Sequence, residues 1–198
     1  SPEVKNAWEK MSEIWLNPDY VMGGVDSILS TFIGDSPVPM FTDPPGCWFH
    51  AQAPWIVDFF GKDDLVAGVD YDFFYLPPID EQYGRPVLGA GDLMVMFNDR
   101  PEVRALMEFF STPAGVEEWV KLGGTLSPHK GANIDWYPTD TDKKVAQLLL
   151  DATSIRFDAS DLMPAEVGAG TFWSGSVDYL SGEDLDTVLA EIDASWPK

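Results

Sequence analysis

Residues 86–115 read PVLGAGDLMVMFNDRPEVRALMEFFSTPAG. Apolar runs flank Gly89-Ala90-Gly91, which predicts a strand over 86–97 that bends or hinges at the glycines. Asn98-Asp99-Arg100-Pro101 then opens a helix with proline in its first turn. Val103, Leu106, Met107 and Phe110 form its buried face. Thr112-Pro113 caps a second helix with Val116, Trp119 and Val120 inside, and Gly123-Gly124 ends it. A strand, a hinge and a helix pair make an α/β unit.

Working outward, residues 3–16 carry Val4, Ala7, Trp8, Met11, Ile14 and Trp15 at helical spacing, with Asn17-Pro18-Asp19 as the stop. A helical segment follows Gly23-Gly24 through Val25, Ile28, Leu29 and Phe32. Residues 38–42, VPMFT, read as a short buried strand. The Pro/Gly turn before Trp48 leads to a helix over 50–60 with Trp55, Ile56 and Phe59 inward. Residues 68–76, GVDYDFFYL, alternate as a strand does, and Pro77-Pro78 closes it. On the other side, 126–138 is irregular and 139–153 is helical. Ser181 and Asp184 read as a capping box for a last helix with the stripe Leu185, Val188, Leu189, Ile192 and Trp196. The tally is about seven helices against three or four strands, fewer strands than a self-sufficient doubly wound sheet carries. A missing piece is one explanation.

Residues 156–182, RFDASDLMPAEVGAGTFWSGSVDYLSG, resemble a binding wall. Glycines at 168, 170, 175 and 182 bare the backbone. Phe172 and Trp173 sit among them, with hydroxyls at Thr171, Ser174 and Ser176 and carboxylates at Asp158, Asp161, Glu166 and Asp178. An aromatic face with a polar rim suits a sugar ring. The competing reading makes both aromatics core residues and the glycines turns.

The chain has 198 residues, 33 acidic and 12 basic, for a formal net charge of −21. That field repels phosphate backbones and anionic membranes, so no nucleic-acid partner is expected and a neutral ligand fits best. Eight tryptophans exceed ordinary packing needs. One cysteine, Cys47, permits no internal disulfide. No run approaches the ~18 apolar residues of a membrane span. The opening SPEVKNAWEKM is helical and charged and does not read as a signal peptide.

Cofactor chemistry finds little support. Cys47, His50 and His129 fall short of a structural zinc set. Gly89-Ala90-Gly91 lacks the third glycine of the dinucleotide fingerprint, and no lysine follows it. No cofactor, no metal and no catalytic residue is therefore expected. A carboxylate pair drawn from Asp92, Asp158, Asp161 and Asp178 keeps a carbohydrate-active enzyme open as the alternative. A third possibility is an interaction domain whose tryptophans are all core.

The order of motifs resembles the carbohydrate-binding members of the extracellular solute-binding proteins that serve ABC importers. Carrying the resemblance are Pro45-Gly46-Cys47-Trp48, the strand and Pro77-Pro78 after Gly68, Gly89-Ala90-Gly91-Asp92, the helix pair spanning 105–115, Gly170-Thr171-Phe172-Trp173, and SGEDLD from Ser181. PPGCW and RFDASDLMP place the alpha-glucoside-binding branch nearest. The resemblance implies an α/β receptor of the two-lobed periplasmic-binding-protein type II, helix-rich with few strands, closing on an oligosaccharide like a clamp. Family chains are longer, and the match is to their second half. The expected division is 1–88 in the second lobe, 89–138 as the crossover and first-lobe helical segment, and 139–198 back in the second lobe.

For the site, the resemblance implies Trp48 and Trp173 as stacking platforms and Asp92 as a hydroxyl acceptor beside the hinge. Phe172, Gly91 and Gly170 complete the expected ligand-binding set. It further implies a non-enzymatic protein on the periplasmic or extracellular face of the membrane. The expected partners are the importer's membrane permease and the missing N-terminal half of the same receptor.

Overall fold

The computed structural model describes residues 1–198. The chain forms two compact units, one from Ser1–His50 with Phe157–Lys198 and one from Ala51–Arg156. Helices dominate and strands are few, as expected.

In the first unit, α1 (Pro2–Trp15) starts where the Ser1 hydroxyl accepts from the Val4 N–H and Pro2 occupies the first turn. α2 (Val25–Ser30) follows Gly23-Gly24. The second contribution begins with α6 (Ala159–Leu162), capped by the Asp158 carboxylate on the Ser160 N–H and hydroxyl. A π-turn (Glu166–Thr171) runs without a break into α7 (Phe172–Leu180), and α8 (Leu185–Ala194) follows. The core is Val167, Val188 and Ile192, with Trp8, Met163, Phe172 and Tyr179 packed on it. Trp8 meets both aromatics edge-on, at centroid distances of 5.8 Å to Phe172 and 5.5 Å to Tyr179. Gly168 is a glycine for packing reasons. A Cβ there would lie 2.1 Å from the Ser160 carbonyl oxygen.

The second unit holds β1 (Pro86–Gly89), α3 (Pro101–Phe110), α4 (Pro113–Leu122) and α5 (Asp140–Leu150). β1 pairs with β2 (Ser154–Phe157), which lies at the unit's end. Val120, Tyr137 and Ala146 are its buried cluster, backed by Leu126, Ile134 and Trp136. The Tyr137 hydroxyl accepts from the buried Ser127 N–H at 3.0 Å. The α3–α4 corner depends on Thr112 and Gly115. Thr112 caps α4 by accepting from the Gly115 N–H. A Cβ on Gly115 would lie 2.3 Å from the Phe109 carbonyl oxygen.

Several expectations need correction. Residues 38–42 form a 3-10 turn (Val38–Phe41), where Pro39 offers no ladder N–H. The helix expected over 50–60 is a 3-10 segment (Pro54–Phe59), with Ile56 and Phe60 buried but Trp55 and Phe59 exposed. Residues 68–76 contribute only an isolated bridge between Ala67 and Tyr71. Of the strand expected over 86–97, only β1 pairs. Asp184, rather than Ser181, caps α8, accepting from the Thr187 N–H. Thr139 and Asp142 make the capping box, on α5.

The chain exposes 14166 Å². A compact monomer of this mass exposes about 9,300 Å², and two globules of half the mass about 11,000 Å² together. The excess thus belongs to the units themselves. Val4, Met11, Ile14, Leu106, Trp119 and Trp196, all read as inward, are exposed.

Candidate functional site

Trp48 stands on a turn tied down at both ends. The Thr42 hydroxyl donates to the Pro39 and Pro44 carbonyls and accepts from the Gly46 N–H. The Gly46 N–H also reaches the Pro39 carbonyl at 2.8 Å, and the Asp43–Pro44 bond is cis. Beyond the tryptophan, His50 Nε2 bonds the Ser36 hydroxyl at 2.8 Å. Between these ties the Trp48 side chain is 75% exposed. Burial holds the His50 pKa below that of a free histidine and pushes the Cys47 thiol up. The Cys47 thiol therefore stays protonated and poorly nucleophilic.

Trp173 lies in the first turn of α7 and is 71% exposed. Its neighbour Phe172 turns the other way, into the Trp8 edge contact. Successive helical residues diverge by about 100°, so the pair divides into one core ring and one surface ring. The hydroxyls expected to rim this surface serve the fold. Thr171 bonds the Ser195 hydroxyl at 2.6 Å, and Ser176 donates to the Phe172 carbonyl at 2.7 Å. Gly170 sits inside the π-turn, where an added Cβ would lie 3.7 Å from the Ala165 carbonyl oxygen, an ordinary contact. Gly168 and Gly175 are buried in packing and present no bare backbone to solvent. Glycine signals in sequence cannot separate the two uses; the helical context does.

Trp48, Phe172, Trp173 and Gly170 belong to the first unit, while Gly91 and Asp92 belong to the second. Gly91 and Asp92 are exposed, and a Cβ added at Gly91 would meet nothing within 4 Å. Among the other acids, Asp158 is occupied as the α6 cap, and Asp161, Glu166 and Asp178 are exposed. No group of three or more His, Cys, Asp or Glu side chains is arranged to hold a metal ion. His129 Nδ1 accepts from the Gly131 N–H. The hollow between Ser127, His129, Ile134, Tyr137 and Leu149 is water-sized, too small for a sugar ring. No helix is long and apolar enough to cross a membrane. The first unit offers two exposed indoles, Trp48 and Trp173, and the second an exposed carboxylate, Asp92.

The sequence placed Trp8 on the α1 stripe, and the structure packs it on the core in edge contact with Phe172, a pairing no spacing in the sequence signals.

No family model matches the chain, and no solved structure does. Two curated relatives match it along 98% of its length. The osmoprotective compounds-binding protein GgtB of Synechocystis is 46% identical over 195 residues, and the alpha-glucosides-binding periplasmic protein AglE of Rhizobium meliloti is 42% identical over 195 residues. The chain covers 46% of the former and 42% of the latter, so it spans less than half the length of the relatives it matches. The resemblance to solute-binding proteins of the alpha-glucoside branch is thereby borne out: from end to end, the chain is a homologue of part of two binding proteins.

Proposed function

We propose that this chain is part of the substrate-binding component of an ABC-type sugar importer. The carrying observation is its similarity, along 98% of its residues, to two proteins named for the small compounds they bind. The ligand class is an alpha-glucoside-like oligosaccharide. The whole receptor is the two-lobed type II form, and it works at the periplasmic or extracellular face with a membrane permease. It binds without turnover.

Trp48 and Trp173 supply stacking faces. Both are costly to leave in water and both stand on ordered supports, the arrangement of a platform awaiting an apolar ring face. Asp92 accepts from a sugar hydroxyl, where a charged acceptor makes the stronger hydrogen bond. Gly91 and Gly170 let the ligand come close to the backbone, and Phe172 anchors the helix that presents Trp173. A net charge of −21 leaves a neutral sugar unopposed. The lobe division at 88 and 138 is retained. Lobes follow contacts with the rest of the receptor, whereas the two compact units follow contacts within this chain.

Tryptophan emission of the whole receptor that carries this chain, titrated with maltose, sucrose and trehalose, tests this reading. An alpha-glucoside should shift the emission, and Trp48→Ala or Trp173→Ala should weaken the response about tenfold, or about 1.4 kcal/mol. Reducing ends released from the sugar, or emission indifferent to every sugar, would overturn it.

A further inference from the structure

His50 closes the turn that carries Trp48, and the hydrogen bonds around it fix its tautomer. The Ser36 hydroxyl donates to the Ile33 carbonyl at 2.6 Å. A hydroxyl has one proton, so toward the ring it can only accept. In the 2.8 Å contact between them, His50 Nε2–H is therefore the donor. The other nitrogen of a neutral imidazole then holds no proton. That nitrogen, Nδ1, is buried and meets no partner. A bare lone pair is tolerable there, whereas the N–H of a charged ring would lack an acceptor. The titratable groups on the two segments that meet at the ring, 33–36 and 42–49, are Asp35, Asp43 and Cys47. Both carboxylates are exposed, and burial keeps the thiol protonated. None offsets a charge on the ring, whose pKa is lowered by burial alone.

We propose that His50 is the positioning residue for Trp48 and makes the presentation of that indole, and with it sugar affinity, sensitive to protons. Trp48 is 75% exposed, so its place depends on the ties of its turn, at Thr42 on one side and at His50 on the other. With the ring neutral, the bond to Ser36 holds and the indole is presented. A proton on Nδ1 drives the ring toward water, breaks the bond to Ser36 and frees one end of the turn. The sign follows from linkage. The folded turn favours the neutral ring, so the tie is complete above the ordinary histidine value of 6.5 and is lost as pH falls through the lowered one. The effect on affinity rests on the reading of Trp48 as a sugar platform; the tie between His50 and Ser36 does not.

The test uses the whole receptor that carries this chain. Without sugar, nitrogen NMR distinguishes a bare ring nitrogen from a protonated one, and His50→Gln identifies the His50 signals by their loss. Nδ1 of His50 is expected bare at about pH 7.5. Acrylamide quenching of the emission that Trp48→Phe removes should rise between about pH 7.5 and about pH 5, a range above the ordinary carboxylates. It should stay flat in His50→Gln, which keeps an N–H for Ser36 and takes up no proton. With maltose, sucrose and trehalose, affinity should weaken at least about threefold over the same range in the parent and hold steady in His50→Gln. Ser36→Ala should weaken binding at about pH 7.5 and flatten the pH response, because the tie is already gone. A protonated Nδ1 at neutral pH, Trp48 quenching or sugar affinity indifferent to pH, or a His50→Gln receptor with the parent's pH response would overturn the proposal. A receptor that binds none of the sugars would sink the platform reading, and the sugar-free quenching still decides whether His50 positions Trp48.

Discussion

Phe172 and Trp173 are adjacent, aromatic and nearly equal in hydrophobicity, yet they do opposite work. Phe172 packs on the cluster of Val167, Val188 and Ile192 and against the Trp8 ring, whereas Trp173 faces water. Phe172→Ala should cost about 2–3 kcal/mol, below the range for a fully buried ring because Phe172 is half-buried. Trp173→Ala should stay within about 0.5 kcal/mol of the parent. Urea unfolding of the two variants checks the contrast, and equal losses would place Trp173 in the core. The sequence could nominate this pair as either platform or core. It could not divide the pair, because the division follows from a helix that the glycine-rich spacing concealed. Trp48 was legible for a different reason. A tryptophan directly after Pro45-Gly46-Cys47 has no regular element to bury it, and the structure leaves it exposed on a tied turn.

At the level of elements, most helices were read well, the 3-10 segment at Pro54–Phe59 and the unread α7 being the exceptions, and strands poorly. A helix satisfies its backbone within itself, so caps and periodicity are visible along the chain. Ser1 on α1, Thr112 on α4 and the proline starts of α3 and α4 all stand where the residues imply. A strand needs a neighbour, and its pattern says nothing of whether the neighbour is present. Residues 68–76 and 92–97 carry strand chemistry without partners. Side-chain contacts hold the first of these locally. Arg85 lies over the Tyr75 ring at 4.7 Å, Tyr75 donates to the Pro86 carbonyl, and Lys144 pairs with Asp72. The α3–α4 corner offers a test whose sign is informative. In an ordinary helix interior, Gly→Ala stabilises by up to about 1 kcal/mol. At Gly115 the new Cβ would meet backbone at 2.3 Å, which cannot yield as a side-chain tip can. Gly115→Ala should therefore destabilise by about 1–3 kcal/mol, read as a lower urea midpoint. A raised midpoint would show that the corner is looser than described.

On the scale of the whole molecule, surface and charge fit one picture. The exposed area of 14166 Å² exceeds that of two compact globules of half the mass, and exposed apolar side chains such as Leu93, Val95 and Phe97 contribute to it. The net charge of −21 opposes association with anionic partners such as phosphate backbones and anionic membranes. The overall class was legible because the chain keeps 42–46% identity with two binding proteins along 98% of its length. The local packing of the motifs was not, because turns, 3-10 segments and strand pairing depend on contacts distant in sequence. A ligand that binds only the folded state raises the melting midpoint. The most direct measurement is therefore thermal melting of this chain, reconstituted with the complementary portion, against millimolar α- and β-linked di- and trisaccharides. The account predicts a higher midpoint with alpha-glucosides, lost in Trp48→Ala and Trp173→Ala. A cooperatively melting complex whose midpoint ignores every sugar would contradict it.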